Sequence, residues 1–188
     1  MDNLKELTHE QHKNAERSLF VKKMLKRELT PHQYYVYLSN QLLMYDMLEF
    51  HAEKARVLDG IEEIKRSIAI SKDLQELETE FGFKIPFHLK STGDYINYMN
   101  QISGDKDKLL AHVYVRHMGD LSGGQILKKL IPAGSGHHYQ FDRDVSELKT
   151  AVREKLHDGL TEEARKCFDM IKFFMEELEI SLDMESTN

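Results

Sequence analysis

His112-Val113-Tyr114-Val115-Arg116-His117-Met118-Gly119-Asp120-Leu121-Ser122-Gly123-Gly124-Gln125, followed by Ile126-Leu127-Lys128-Lys129-Leu130-Ile131, is the stretch on which the reading of this chain turns. Its apolar residues recur at three and four positions, as a helix requires, yet three glycines fall within six residues. Each costs a helix interior about 1 kcal/mol relative to alanine, so something must compensate. At the helical rotation Arg116, Gly119, Asp120, Gly123 and Leu127 share one stripe, bare backbone flanked by an ionisable pair, against which a flat ligand can lie. Gly119 and Gly123 also fit the small-residue spacing of a close helix crossing. A phosphate loop would need a Gly-Lys-Ser/Thr ending after a strand, and neither is here. Leu121-Ser122-Gly123-Gly124 alone reads as a breaker, but helical spacing resumes at Ile126. The segment is therefore read as a kinked, continuous helix that Asp105 caps and that runs to Pro132.

Outward from this segment the helix signals repeat. Thr30-Pro31 with Gln33 supplies a cap and a first-turn proline ahead of Tyr35, Leu38, Leu42, Tyr45 and Leu48, a stripe that continues through Glu49 to Arg56 until Gly60 interrupts it. Asn3 with Glu6 forms an earlier capping pair. Shorter helices are expected from about Ser71 to Phe81, closed by Gly82, and from about Thr92 to Ile102, closed by Gly104, both glycines standing at left-handed cap positions. The loop between them, Phe83 to Lys90, contains Pro86. Leu110, Val113, His117 and Leu121 line one side of the glycine-bearing helix. After a loop rich in Gly, Ser and His from Ala133 to Gln140, Asp144 with Glu147 opens a helix to about His157. Thr161 caps a last one, where Phe168, Ile171, Met175, Leu178 and Leu182 have the spacing of a core stripe. No segment alternates apolar and polar residues over strand length, and no repeat or linker divides the chain. The fold class is all-α, as a single domain over residues 1–188.

Composition agrees. Among 188 residues, 40% are hydrophobic and 31% charged, with 3 Pro and 10 Gly, a balance suited to amphipathic helices rather than a turn-rich sheet. No apolar run reaches membrane-spanning length and the first residues lack a signal-peptide core, so a soluble, cytoplasmic protein with no membrane partner is expected. The lone Cys167 excludes an internal disulfide and a cysteine metal cluster, and reads as a small residue packed in a helix. A net charge of −6 argues against a nucleic-acid partner. Lys5, Lys13, Arg17, Lys22, Lys23, Lys26 and Arg27 nonetheless outnumber Asp2, Glu6, Glu10 and Glu16 in the first 27 residues, where an acidic partner can dock.

Gly119-Asp120-Leu121-Ser122-Gly123-Gly124-Gln125 resembles the distal-helix signature of the heme oxygenases. The likeness extends to Leu4-Lys5-Glu6 and Thr8-His9-Glu10-Gln11-His12-Lys13-Asn14-Ala15-Glu16, similar to the family's proximal helix, and to Lys149 through Arg153. It implies an all-helical bundle that grips heme, both cofactor and substrate, between a proximal and a kinked distal helix. The reaction implied opens the ring with O2 and reductant to biliverdin, carbon monoxide and ferrous iron.

By that resemblance His12 is the axial ligand of the heme iron and Glu16 the carboxylate that orients its other nitrogen. Spacing alone only puts Lys5, His12 and Glu16 on one face and leaves His9 as a competitor. Gly119, Gly123 and Gly124 match the positions where distal backbone approaches the ring. Asp120 matches the carboxylate that organises water and delivers a proton, with Arg116 and Tyr114 in the supporting network. On spacing alone Asp120 is equally an exposed partner of Arg116. Lys149 and Arg153, with Lys5, match contacts to the two propionates and imply cleavage to the IXα isomer, although two cations four apart are also an ordinary solvated face. Tyr45 and Phe168 match pocket positions or are core. Ile171 departs from the family, standing where better-known members carry an asparagine that feeds the distal water network.

With no anchor after Asn188 the chain resembles the soluble microbial or plastid forms, which implies ferredoxin as electron donor, docking on Lys13, Arg17, Lys22, Lys23 and Lys26, and a bilin reductase downstream. Two other readings remain at this point. One is a heme carrier without chemistry. The other is a di-iron oxidase using Glu6-x-x-His9 and Glu154-x-x-His157, whose spacing such sites share.

Overall fold

The computed structural model describes residues 2–84 and 87–184. It is 73% helix, with no strand among the described residues, as the periodicity requires. The helices are α1 Asp2–Leu7, α2 His9–Glu16, α3 Leu19–Leu25, α4 Pro31–Lys54, α5 Ser67–Phe81, α6 Lys90–Gln101, α7 Lys106–Ser122, α8 Gly124–Leu127, α9 Val145–Arg153 and α10 Thr161–Ser181.

α4 is the axis of the bundle. It starts where the sequence places it, because Thr30 Oγ accepts from the Gln33 amide at 3.1 Å while the Gln33 side chain accepts from the Thr30 amide at 3.0 Å. Its middle is buried on most sides, with Val36, Leu38 and Leu48 fully enclosed against α5, α6 and α7. Each such side chain contributes roughly 1.5–3 kcal/mol by leaving water. α10 closes the other side, packing on α7, α6 and α2 through Cys167, Phe168, Phe174, Met175 and Leu178. One contiguous apolar cluster runs through all these elements.

Several boundaries differ from expectation, each for a local reason. Asn3 lies inside α1 rather than capping it, and its amide donates to Asp158 Oδ2 at 3.2 Å. α1 and α2 are one helical path interrupted at Thr8, whose hydroxyl donates to the Leu4 carbonyl at 2.8 Å and competes with the backbone ladder. Gly60 does not stop α4. The helix ends at Arg56, held at φ 65° with the Val57 amide bonded back to the Ala52 carbonyl. Gly82 caps α5 at φ 70°, but Gly104 has no positive φ and α6 ends without it. Pro86 lies outside the described residues. Thr161 is the first residue of α10 and bonds back to the Asp158 carbonyl, so it does not cap. α3, which no capping motif announced, starts at Ser18, whose Oγ accepts from the Val21 amide at 3.2 Å.

The glycine segment breaks after Ser122 instead of running to Pro132. Gly123 keeps right-handed helical angles, φ −82° and ψ −26°, and its amide still bonds to the Gly119 carbonyl at 2.8 Å. The path thus stays helical as far as Leu127, and tight turns carry it to Leu130.

Candidate functional site

α7 brings its polar residues inward. Arg116 and Asp120, four apart, are both buried, yet they do not pair as a solvated couple would. Arg116 Nε donates to the Tyr95 hydroxyl at 3.0 Å, its Nη1 to Gln41 at 3.3 Å, and its guanidinium lies over the Tyr95 ring at 4.2 Å. Asp120 Oδ2 accepts from the Tyr45 hydroxyl at 2.6 Å, and Oδ1 lies 3.1 Å from His138 Nε2. Burial alone would raise the Asp120 pKa, but His138, the Tyr45 hydroxyl and His117 outweigh it and hold the carboxyl below its ordinary value. The same burial, with Asp120 adjacent, pushes the Tyr45 hydroxyl well up, so it donates.

The glycines divide by what they face. A methyl group at Gly119 would meet nothing within 4 Å, so a strip of α7 backbone beside Asp120 is open. A methyl at Gly123 would press on the Gly119 carbonyl at 3.3 Å, which leaves only bare backbone there. At Gly124 it would lie 2.6 Å from Tyr139 Cδ1, so this glycine makes room for a packed aromatic ring.

The proximal side is α2. His12 is half-exposed, its side chain 45% accessible, with Nε2 2.8 Å from Glu16 Oε1. Its ring is stacked on Phe168 of α10 at 5.4 Å. Glu16 thus stands beside the imidazole, as a carboxylate that orients a metal-binding histidine does. Burial raises the Tyr114 pKa, while Thr8, between α1 and α2, and Arg153 of α9 act in the opposite sense. Lys149 is half-buried on α9; Lys5 and Arg153 are exposed. The residue types suit a flat dianionic macrocycle: an imidazole for iron, bare backbone at Gly119 for close approach, and the Lys5, Lys149 and Arg153 cations for carboxylates.

The sequence reading passed over several residues of this network. Tyr95 bonds His112 Nδ1 at 2.8 Å, and His112 Nε2 contacts Glu163 at 3.0 Å. Glu49 accepts from His117 at 2.8 Å and from the Arg66 amide at 2.6 Å. His138 stacks on Tyr139 at 4.5 Å and meets Tyr45 edge-on at 5.7 Å. It sits at an ion-pair distance from Asp120, but neither ring nitrogen makes an aligned hydrogen bond, a state that costs a buried group about 1–3 kcal/mol. Only the residue types of the loop, a histidine pair after Gly134-Ser135-Gly136, carried any hint. Ile171 is half-buried against the core and offers no hydrogen bond, so the partners of Asp120 come from α4 and this loop.

The di-iron reading is overturned. Glu6, His9, Glu154 and His157 are exposed, and the one carboxylate–imidazole group close enough to share an ion among the described residues is Asp73, Glu76 and His137. Its oxygens are already taken: Asp73 accepts from the amides of His137 and His138, and Glu76 from that of Ser135. Of the basic residues near the N-terminus, Lys13, Arg17, Lys22 and Lys26 are exposed, while Lys23 is half-buried and lies 3.8 Å from Glu28.

Among known proteins, the profile of one family, heme oxygenase, matches residues 1–177. A heme oxygenase of Guillardia theta is 32% identical over 95% of this chain and 85% of its own. The solved heme oxygenase of Leptospira interrogans superposes with a TM-score of 0.81 at 30% identity, covering 93% of this chain and 97% of that one. Heme oxygenase-1 of Synechocystis, solved in complex with heme, gives 0.83 at 26% identity over 97% and 93% of the two chains.

Proposed function

This chain belongs to the heme oxygenase family, and from that premise we propose that it converts heme to biliverdin IXα, carbon monoxide and ferrous iron, drawing electrons from reduced ferredoxin. Membership makes it an oxidoreductase that binds heme as substrate. The observation that carries the residue assignments is the open strip at Gly119 beside a buried carboxylate held by Tyr45 at 2.6 Å. Bound heme supplies the iron at which oxygen is activated and is itself the ring that is cut.

The chain's own residues do the rest. His12 would hold the heme iron, with Glu16, 2.8 Å from its Nε2, orienting the ring. Lys5, Lys149 and Arg153 would supply the cations that hold the two propionates. Gly119 and Gly123 present bare backbone that would let the ring approach closely, while Gly124 admits the Tyr139 ring. Asp120 stays ionised and can accept from a water while Tyr45 holds it still, which provides a proton path beside the strip. Arg116 ties α7 to Tyr95 of α6, Tyr114 stands half-buried on the same helix, and Phe168 backs the His12 ring.

An acidic ferredoxin docks on Lys13, Arg17, Lys22, Lys23 and Lys26, next to the His12 helix, in the cytoplasm. A bilin reductase takes the product. The test is chromatography after incubation with heme, oxygen and a ferredoxin system. Biliverdin IXα is expected, and heme left intact would overturn the assignment. His12→Ala should abolish the axial bond and most turnover, with imidazole added to the buffer restoring part of both.

A further inference from the structure

His138 has no part in the reaction as described above, although it is 1% exposed and touches the carboxylate on which that reaction depends. Its peptide is held independently of its ring. The amide donates to Asp73 Oδ2 at 2.8 Å, and the carbonyl accepts from Arg66 Nη1 at 2.9 Å. The ring's packing, stacked on Tyr139 and edge-on to Tyr45, is what a phenylalanine would equally provide. Neither loop geometry nor packing therefore accounts for the two buried ring nitrogens, which make no aligned hydrogen bond, Nε2 lying 3.1 Å from Asp120 Oδ1.

We propose that His138 is a positioning residue for Asp120, holding the carboxylate from its Oδ1 side while Tyr45 holds it from the Oδ2 side, an inference that rests on the role of Asp120 given above. The chain thereby steadies this carboxylate from the His137–Tyr139 turn. Bonded at Oδ2 by Tyr45 and faced at Oδ1 by the imidazole at 3.1 Å, Asp120 retains lone pairs for water. The other charged or titratable groups around the pair are Tyr34, Tyr37 and Tyr45 of α4, Arg66 at the start of α5 and Asp73 within it, Arg116 and His117 of α7, and Tyr139. Of these, Tyr45 and His117 join His138 in favouring the Asp120 carboxylate, so removing the imidazole weakens but does not abolish that preference.

His138→Phe keeps the stack and removes both nitrogens, and His138→Gln returns an N–H near the Nε2 position. In heme-free protein labelled at the aspartate carboxyls, the Asp120 titration should move to higher pH in His138→Phe and return toward the parent in His138→Gln. With heme bound, His138→Phe should lose roughly tenfold in kcat on the acidic side with KM unchanged, and His138→Gln should recover most of it. Superimposable Asp120 titrations in parent and His138→Phe overturn the proposal. So does a ring ¹⁵N spectrum of the parent showing Nε2 without a proton across the pH range, a measurement that needs no variant to fold. A parent protein that leaves heme intact sinks the reading of the reaction instead, and leaves the heme-free titration to decide this pair.

Discussion

A glycine's role is decided by what occupies the place of its missing methyl group, and the three glycines of the distal segment give three answers. Gly119→Ala should stabilise α7 by up to about 1 kcal/mol, since its methyl meets nothing within 4 Å and alanine is the better helix former. The same methyl intrudes on the strip, so a higher melting temperature should come with loss of heme cleavage; full turnover in this variant would show that the ring does not lie there. Gly124→Ala should instead lose about 1–3 kcal/mol in chemical denaturation, because its methyl would overlap the Tyr139 ring at 2.6 Å. Tyr45→Phe removes a hydrogen bond to a buried carboxylate, a loss of about 1.5–3 kcal/mol, and leaves Asp120 easier to protonate.

At the scale of elements, ends matter more than middles. α4 is closed by Arg56 in the left-handed region, a conformation that glycine adopts without strain. Arg56→Gly should therefore raise stability by up to about 1 kcal/mol, read as a shift in denaturation midpoint at constant slope. Breaking the cap at the other end by Thr30→Ala should cost about 1 kcal/mol. The 133–140 loop is an element only by virtue of its ties, because Asp73 takes two of its amides and Arg66 two of its carbonyls at under 3 Å. The break after Ser122 belongs here too: helical angles persist through Gly123, but the ladder does not extend to Pro132, since turns of tighter pitch follow Leu127.

For the molecule as a whole, buried ion pairs set how stability varies with pH. Burial would raise the Glu49 pKa, but the His117 hydrogen bond and the Ser67 and Arg66 donors lower it below 4.5, and Asp120 is lowered below 3.8. The stability these two supply is complete above those values and disappears as pH falls through the still lower folded ones. His112 moves the other way. Its burial is outweighed by Cys167 and Glu163, so its folded pKa lies above 6.5, and its contribution is full below 6.5 and fades as pH rises through the folded value. Melting temperature against pH should fall on both flanks. Glu49→Gln should flatten the acid flank and His112→Gln the alkaline one; an unchanged profile in either would remove that pair from the account.

The helices and their class were legible in the sequence because helical periodicity and the Thr30 and Asp105 caps are local properties, decided within a few residues. The glycine strip and its flanking Asp120 were legible for the same reason, since one turn of helix places them together. What only the folded chain decided is who meets whom across it. Asp120 turned from the Arg116 beside it to Tyr45 and His138, 75 and 18 positions away, because burial makes every carboxylate seek the donors that packing brings near. Spacing along one helix cannot express that choice, which depends on the loop that Asp73 and Arg66 hold in place.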